Sequence, residues 1–107
     1  MSYDVDVQHR GSVDRFNYTY NLSPFFRRFG LDINSFHGQP AEIVAARIVV
    51  GLEEAATIPL PLLKESYDPE NGWGSVESAI GFLHDIRRAC VDMECSDAYC
   101  PTRVWVS

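Results

Sequence analysis

The stretch Asn17–Phe26, NYTYNLSPFF, decides how the chain is read, because one kind of structure ends in it and another begins. Phe16, Tyr18 and Tyr20 alternate with Asn17 and Thr19, which is the period of a half-buried strand. Ser23-Pro24 then has the form of a helix start. Serine accepts a bond from a free N–H there, and proline suits the first helical position. Gly30 closes that short helix, whose Phe25, Phe26 and Phe29 read as core. Asn17, Thr19 and Asn21 share one side of the strand. They either satisfy the backbone where strand turns to helix or line a small-ligand pocket.

Working back from this corner, Tyr3, Val5 and Val7 alternate with Asp4 and Asp6, and Arg10–Asp14, with Gly11 and Ser12, supplies a turn. The opening element reads as a hairpin. Working forward, a loop through Asn34, His37 and Gly38 leads to Pro40, which opens a helix running to about Ala56. At 100° per residue, Val44, Ala45, Ile48, Leu52 and Ala55 form its main apolar face. Ile43, Ala46 and Val50 form a lesser stripe edged by Glu42, Arg47, Glu53 and Glu54, read as a second core layer or as a partner surface.

The three prolines and the Gly-Trp-Gly of IPLPLLKESYDPENGWG predict a connector with at most one helical turn. Ser75 caps a helix to about Met93, with Val76, Ala79, Ile80, Leu83, Ile86 and Cys90 on one face and Glu77, Ser78, Gly81, Asp85 and Arg88 opposite. Close packing or simple tolerance must account for Gly81. Arg103–Val106 alternates as a last strand and completes the sheet, since a lone hairpin is marginal in water. The expected class is α+β: a small antiparallel sheet, the N-terminal hairpin plus the C-terminal strand, packed on two main helices and a short aromatic one. At 107 residues and 46% hydrophobic content, one domain over 1–107 is expected.

The net charge of -6 is uneven: residues 42–97 carry eleven acids against four bases, whereas residues 1–41 carry four of each. Such a surface disfavours nucleic acid and favours a basic protein partner. The acidic start MSYDVDVQHR is unlike a signal peptide, and no apolar run is long enough for a membrane span, so a cytoplasmic location is expected. The acceptor triplets at Asn17 and Asn21 then go unglycosylated, and Cys90, Cys95 and Cys100 are expected as free thiols.

No strong catalytic motif emerges. The cysteines are spaced singly, five apart, without the tight pairs of a zinc site, and His84 falls about 120° from Cys90 on the helix, so no metal or other cofactor is expected. Asp92, Glu94 and Asp97 around the later cysteines oppose a reactive thiolate. Gly72-Trp73-Gly74-Ser75 offers N–H groups for an anion but lacks the lysine and spacing of a phosphate loop. Asp68 and Glu70 read as a solvated loop.

FNYTYNLSPFFRRFG, SFHGQPAEIV, ENGWGSVESAIGFL and the closing RVWV together resemble a family of small proteins of bacteria and their phages. Its members share an Asn-x-Thr-x-Asn-x-Ser motif, a short aromatic helix, a His-Gly or Tyr-Gly turn and a late tryptophan. Asn17, Thr19, Asn21, Ser23, Gly38, Asn71, Gly72 and Trp105 match that pattern, whereas Gln39-Pro40 stands where relatives often carry Lys-Thr. The resemblance implies a bacterial cell or a phage-infected host as the setting, and no particular reaction.

Two functional readings follow. In the first, the chain is a small acidic interaction protein, such as a phage inhibitor that binds a host or defence protein through Ile43, Val50, Glu53, Glu54, Asp92 and Glu94. In the second, Asn17, Thr19, Asn21, His37, Asn71 and Trp73 bind a nucleotide or sugar. A homodimer through the lesser stripe is a further expectation.

Overall fold

The computed structural model describes residues 2–9, 12–94 and 103–107. Two strands, β1 (Ser2–His9) and β2 (Ser12–Thr19), pair antiparallel with Tyr3 opposite Tyr18, Val5 opposite Phe16 and Val7 opposite Asp14. The last strand, β3 (Arg103–Val106), joins the free side of β1 with Val7 opposite Val104, giving the order β2-β1-β3. This is the expected α+β arrangement of hairpin plus C-terminal strand. Alternation sends Tyr3, Val5, Val7 and Val104 into the core and leaves Asp4, Asp6 and Trp105 on the outer face. Arg10 and Gly11 of the expected turn, Cys95 and Cys100, and the side chains of Asp92 and Glu94 lie outside the described residues.

Strand β2 stops at Thr19, one residue before Tyr20, which opens a 3-10 turn over Tyr20–Leu22. The reason is Thr19 itself: its hydroxyl accepts the Asn21 N–H and bends the backbone out of the strand. The aromatic helix α1 (Ser23–Arg28) follows directly. Ser23 therefore sits inside the first turn and not at the cap. Its hydroxyl donates to the Tyr20 carbonyl and bonds the buried Tyr3 hydroxyl, fastening the corner to β1. Gly30, at φ 69°, ends α1 as expected.

Helix α2 (Ala41–Ala55) buries Val44, Ala45, Ile48 and Ala55, and α4 (Val76–Glu94) buries Val76, Ala79, Leu83, Ile86 and Cys90. The two helices pack on each other, and α4 also rests on β1 and β2. Phe25, Phe26, Phe36 and Leu22 fill the space between α1, the sheet and the helices. Tyr18 stacks on Phe82 of α4, with ring centroids 4.9 Å apart. No helix among the described residues is long and apolar enough to cross a membrane.

Two further expectations are corrected. The proline-rich connector contains an eight-residue helix, α3 (Leu60–Tyr67), and not a single turn at most. Pro59 occupies its cap and Pro61 its first turn, where no intrahelical N–H is required, so neither proline breaks it. The lesser stripe of α2 is not a second core layer: Ile43 is 44% exposed and Val50 56%. As for Gly81, a Cβ there would meet open space, so tolerance explains it.

Candidate functional site at the strand-to-helix corner

The outward side of β2 and the loop between α3 and α4 meet at one cavity of about 560 Å³, lined by Ser2, Asn17, Thr19, Asn21, Asn71 and Trp73. Asn17 and Thr19 face it because they are two apart on the strand, while Tyr18 between them turns inward. Ser2 arrives from β1, where it pairs opposite Thr19. The loop is brought in by glycine chemistry. Gly72 and Gly74 have φ of 74° and 93°, and a Cβ on Gly74 would lie 2.8 Å from Thr19 Cγ2 and 3.0 Å from the Tyr18 hydroxyl.

Each amide at this corner has a structural duty. Asn17 Nδ2 donates to Ser2 Oγ at 2.9 Å, to Asp4 Oδ1 at 2.7 Å and to the Tyr3 carbonyl at 3.3 Å. Asn21 Nδ2 reaches across to Asn71 Oδ1 at 3.4 Å and to the Trp73 carbonyl at 3.3 Å. Asn71 Oδ1 also accepts the Trp73 backbone N–H at 3.0 Å, forming a tight turn at Trp73. Only one end of each amide is used. Asn17 Oδ1, Asn21 Oδ1, Asn71 Nδ2 and the indole N–H of Trp73 make no hydrogen bond within the described residues, and Trp73 is 71% exposed.

The structure thus brings Asn17, Thr19, Asn21, Asn71 and Trp73 together, and it separates His37 from them. His37 Nδ1 accepts the Val106 N–H at 3.0 Å, and its ring stands edge-on to Trp105 at 5.4 Å, so it fastens β3. The Gly38 N–H bonds the Val104 carbonyl, and Arg103 donates to the Gly38 carbonyl, extending the same seam. Its placement corrects the expectation that His37 belongs with the corner residues.

The start of α4, where the Gly-Trp-Gly-Ser run offers N–H groups to an anion, is already furnished. Ser75 and Ser78 exchange bonds as a capping pair, the Tyr18 hydroxyl donates to the Ser75 carbonyl, and the Val76 N–H donates to Asp68 Oδ1 at 2.8 Å. Asp68 is therefore a built-in anion at the helix N-terminus and not a solvated loop residue. The Val76 bond, supported by Lys64 and opposed by partial burial, holds its carboxyl below the ordinary range. Lys64 contacts Glu77 at 3.0 Å and Asp68 at 3.2 Å, and these bonds raise its pKa, that to Glu77 most. Sequence reasoning missed this role, because eight residues separate Asp68 from Val76 and no local capping spacing marks it. It also missed Ser2, whose only signal is its register opposite Thr19.

Ala46, Arg47, Val50 and Glu54 of α2, with Phe29 and Gly30, border a shallow groove that shares no lining residue with the corner cavity. The guanidinium of Arg47 turns inward, donating to Gly30 O and Ser35 Oγ and lying 4.9 Å from the Phe36 ring centre. Glu42, Glu53 and Glu54 remain exposed around Ile43 and Val50.

Comparison with protein-family models, with curated proteins and with solved structures finds no match to this chain.

Proposed function

We propose that the chain is a small-ligand binding protein whose site is the corner cavity, sized for a nucleotide or a sugar. The observation that carries this is convergence. Residues some fifty apart in sequence supply amide groups with unspent ends beside one exposed indole, around a cavity within the roughly 300–1,000 Å³ of ligand sites. A corner needs the amide bonds, but it does not need an exposed tryptophan. Thermal-shift screening against nucleotides and sugars tests the reading. A ligand at ten times its Kd adds about 1.4 kcal/mol and raises Tm by several degrees, and Trp73→Ala should abolish that shift. No shift with any compound of either class would remove the reading.

A second reading, favoured by α2, is that of an acidic interaction protein. Its support is the exposed Ile43, Ala46 and Val50 strip, flanked by Glu42, Glu53 and Glu54, with its only base drawn inward by Gly30, Ser35 and Phe36. This pattern suits a partner with a basic rim and an apolar centre, for instance a host or defence protein in a phage-infected bacterial cell, the setting implied by the motif resemblance. Capture that is lost on Ile43→Ser with Val50→Ser, and that weakens with added salt, would support it. Equal capture by the variant would refute it, and a concentration-dependent doubling of mass would assign the strip to self-association.

A further inference from the structure

We infer that the corner cavity takes a neutral sugar ring, stacked on Trp73 and held through its hydroxyls by Asn17, Asn21 and Asn71, and that it disfavours phosphate-bearing ligands. This rests on the reading of the cavity as a ligand site and narrows it by charge and shape.

The lining is uncharged: serine, threonine, three asparagines and an indole, with no lysine, arginine or histidine. The charge beside it has the wrong sign for a phosphate, since Asp4 Oδ1 lies 2.7 Å from Asn17 Nδ2. Arg15, on the same sheet face, is 3.7 Å from Asp6. The first turn of α4, the other potential anion holder, already carries Asp68. A phosphate entering here would shed water without gaining a cation.

A sugar asks for what the cavity has. Its hydroxyls both donate and accept, and the site offers acceptors at Asn17 Oδ1 and Asn21 Oδ1 and a donor at Asn71 Nδ2. The C–H face of a pyranose is apolar and flat, which matches an indole left open to solvent. The asparagine ends are held in place by bonds on their opposite atoms, so little side-chain freedom is lost on binding.

The test is an NMR titration of the ¹⁵N-labelled chain with glucose, mannose, galactose and N-acetylglucosamine, and separately with AMP and UDP. The Trp73 indole N–H and the side-chain amides of Asn17, Asn21 and Asn71 are the readouts. We expect at least one sugar to shift these signals saturably at millimolar concentration, with affinity reduced at least tenfold in Trp73→Ala, partly kept in Trp73→Phe and unchanged in Trp105→Phe. The exposure of Trp73 leaves folding of the variants intact, which their backbone spectra verify. Shifts with AMP or UDP but none with sugars would overturn the inference and leave the ligand-site reading standing. Shifts with neither class would overturn both, and sugar shifts that persist in Trp73→Ala would overturn the stacking assignment.

Discussion

Gly51 and Gly81 are both helical glycines, yet they answer to different neighbours. A Cβ on Gly81 meets nothing within 4 Å, whereas a Cβ on Gly51 lies 2.6 Å from the side chain of the buried Leu31. Gly81→Ala should therefore stabilise the chain by about 1 kcal/mol through helix propensity alone. Gly51→Ala gains the same propensity but overpacks at a cost of about 1–3 kcal/mol, so we expect a net loss of up to about 2 kcal/mol. Urea unfolding of the two variants checks the ordering, with wild type between them. Asp68 gives a pH-dependent counterpart. Its folded pKa is depressed, so its contribution is fully present above the unfolded value of about 3.9 and is lost as pH falls through the lower folded value. Lys64 has the opposite sign: its raised pKa contributes below the unfolded value of about 10.4 and loses the contribution as pH rises through the folded one. Asp68→Asn should flatten the acid limb of a stability-against-pH curve while leaving most of the alkaline limb, where the Lys64–Glu77 contact remains.

At the scale of elements, strand period and helical faces were legible because burial imposes them locally. Tyr3, Val5 and Val7 inside with Asp4 and Asp6 outside, and the Val76 to Cys90 face of α4, follow directly from alternation and from 3.6-residue spacing. Helix α3 was illegible because proline reads as a breaker unless its position in the first turn is known in advance. The candidate site divides the same way. Asn17, Thr19 and Asn21 could be grouped from the corner alone, and Asn71 and Trp73 were candidates, but their closure onto the corner depends on Gly74 lying against Thr19, Leu22 and Tyr18. His37 misled because its partner, the Val106 N–H, lies 69 residues away. Tyr18 links these levels, stacking on Phe82 while its hydroxyl meets the Ser75 carbonyl and N–H and Ser78 Oγ. Tyr18→Phe keeps the stack and removes the bonds, so it should cost roughly 1–2 kcal/mol. A matching rise in amide exchange of the first turn of α4 would show that the loss is local to that end of the helix.

For the whole molecule, two separate surfaces carry different chemistry. The corner cavity presents neutral amides and an indole, and the exposed face of α2 presents an apolar strip among exposed glutamates. Salt therefore separates them: added salt should leave a neutral ligand's affinity at the corner nearly constant and should weaken any basic partner on α2. The corner joins β2 to α1 and, on the proposed reading, also holds a ligand against Trp73. The most direct test is a search for intermolecular nuclear Overhauser effects between the ring protons of a bound sugar and the indole protons of Trp73. Such contacts are expected from one face of the sugar, together with contacts to the Asn21 and Asn71 side chains. Contacts only to residues outside the corner, such as Ile43 or Val50 on α2, would contradict it.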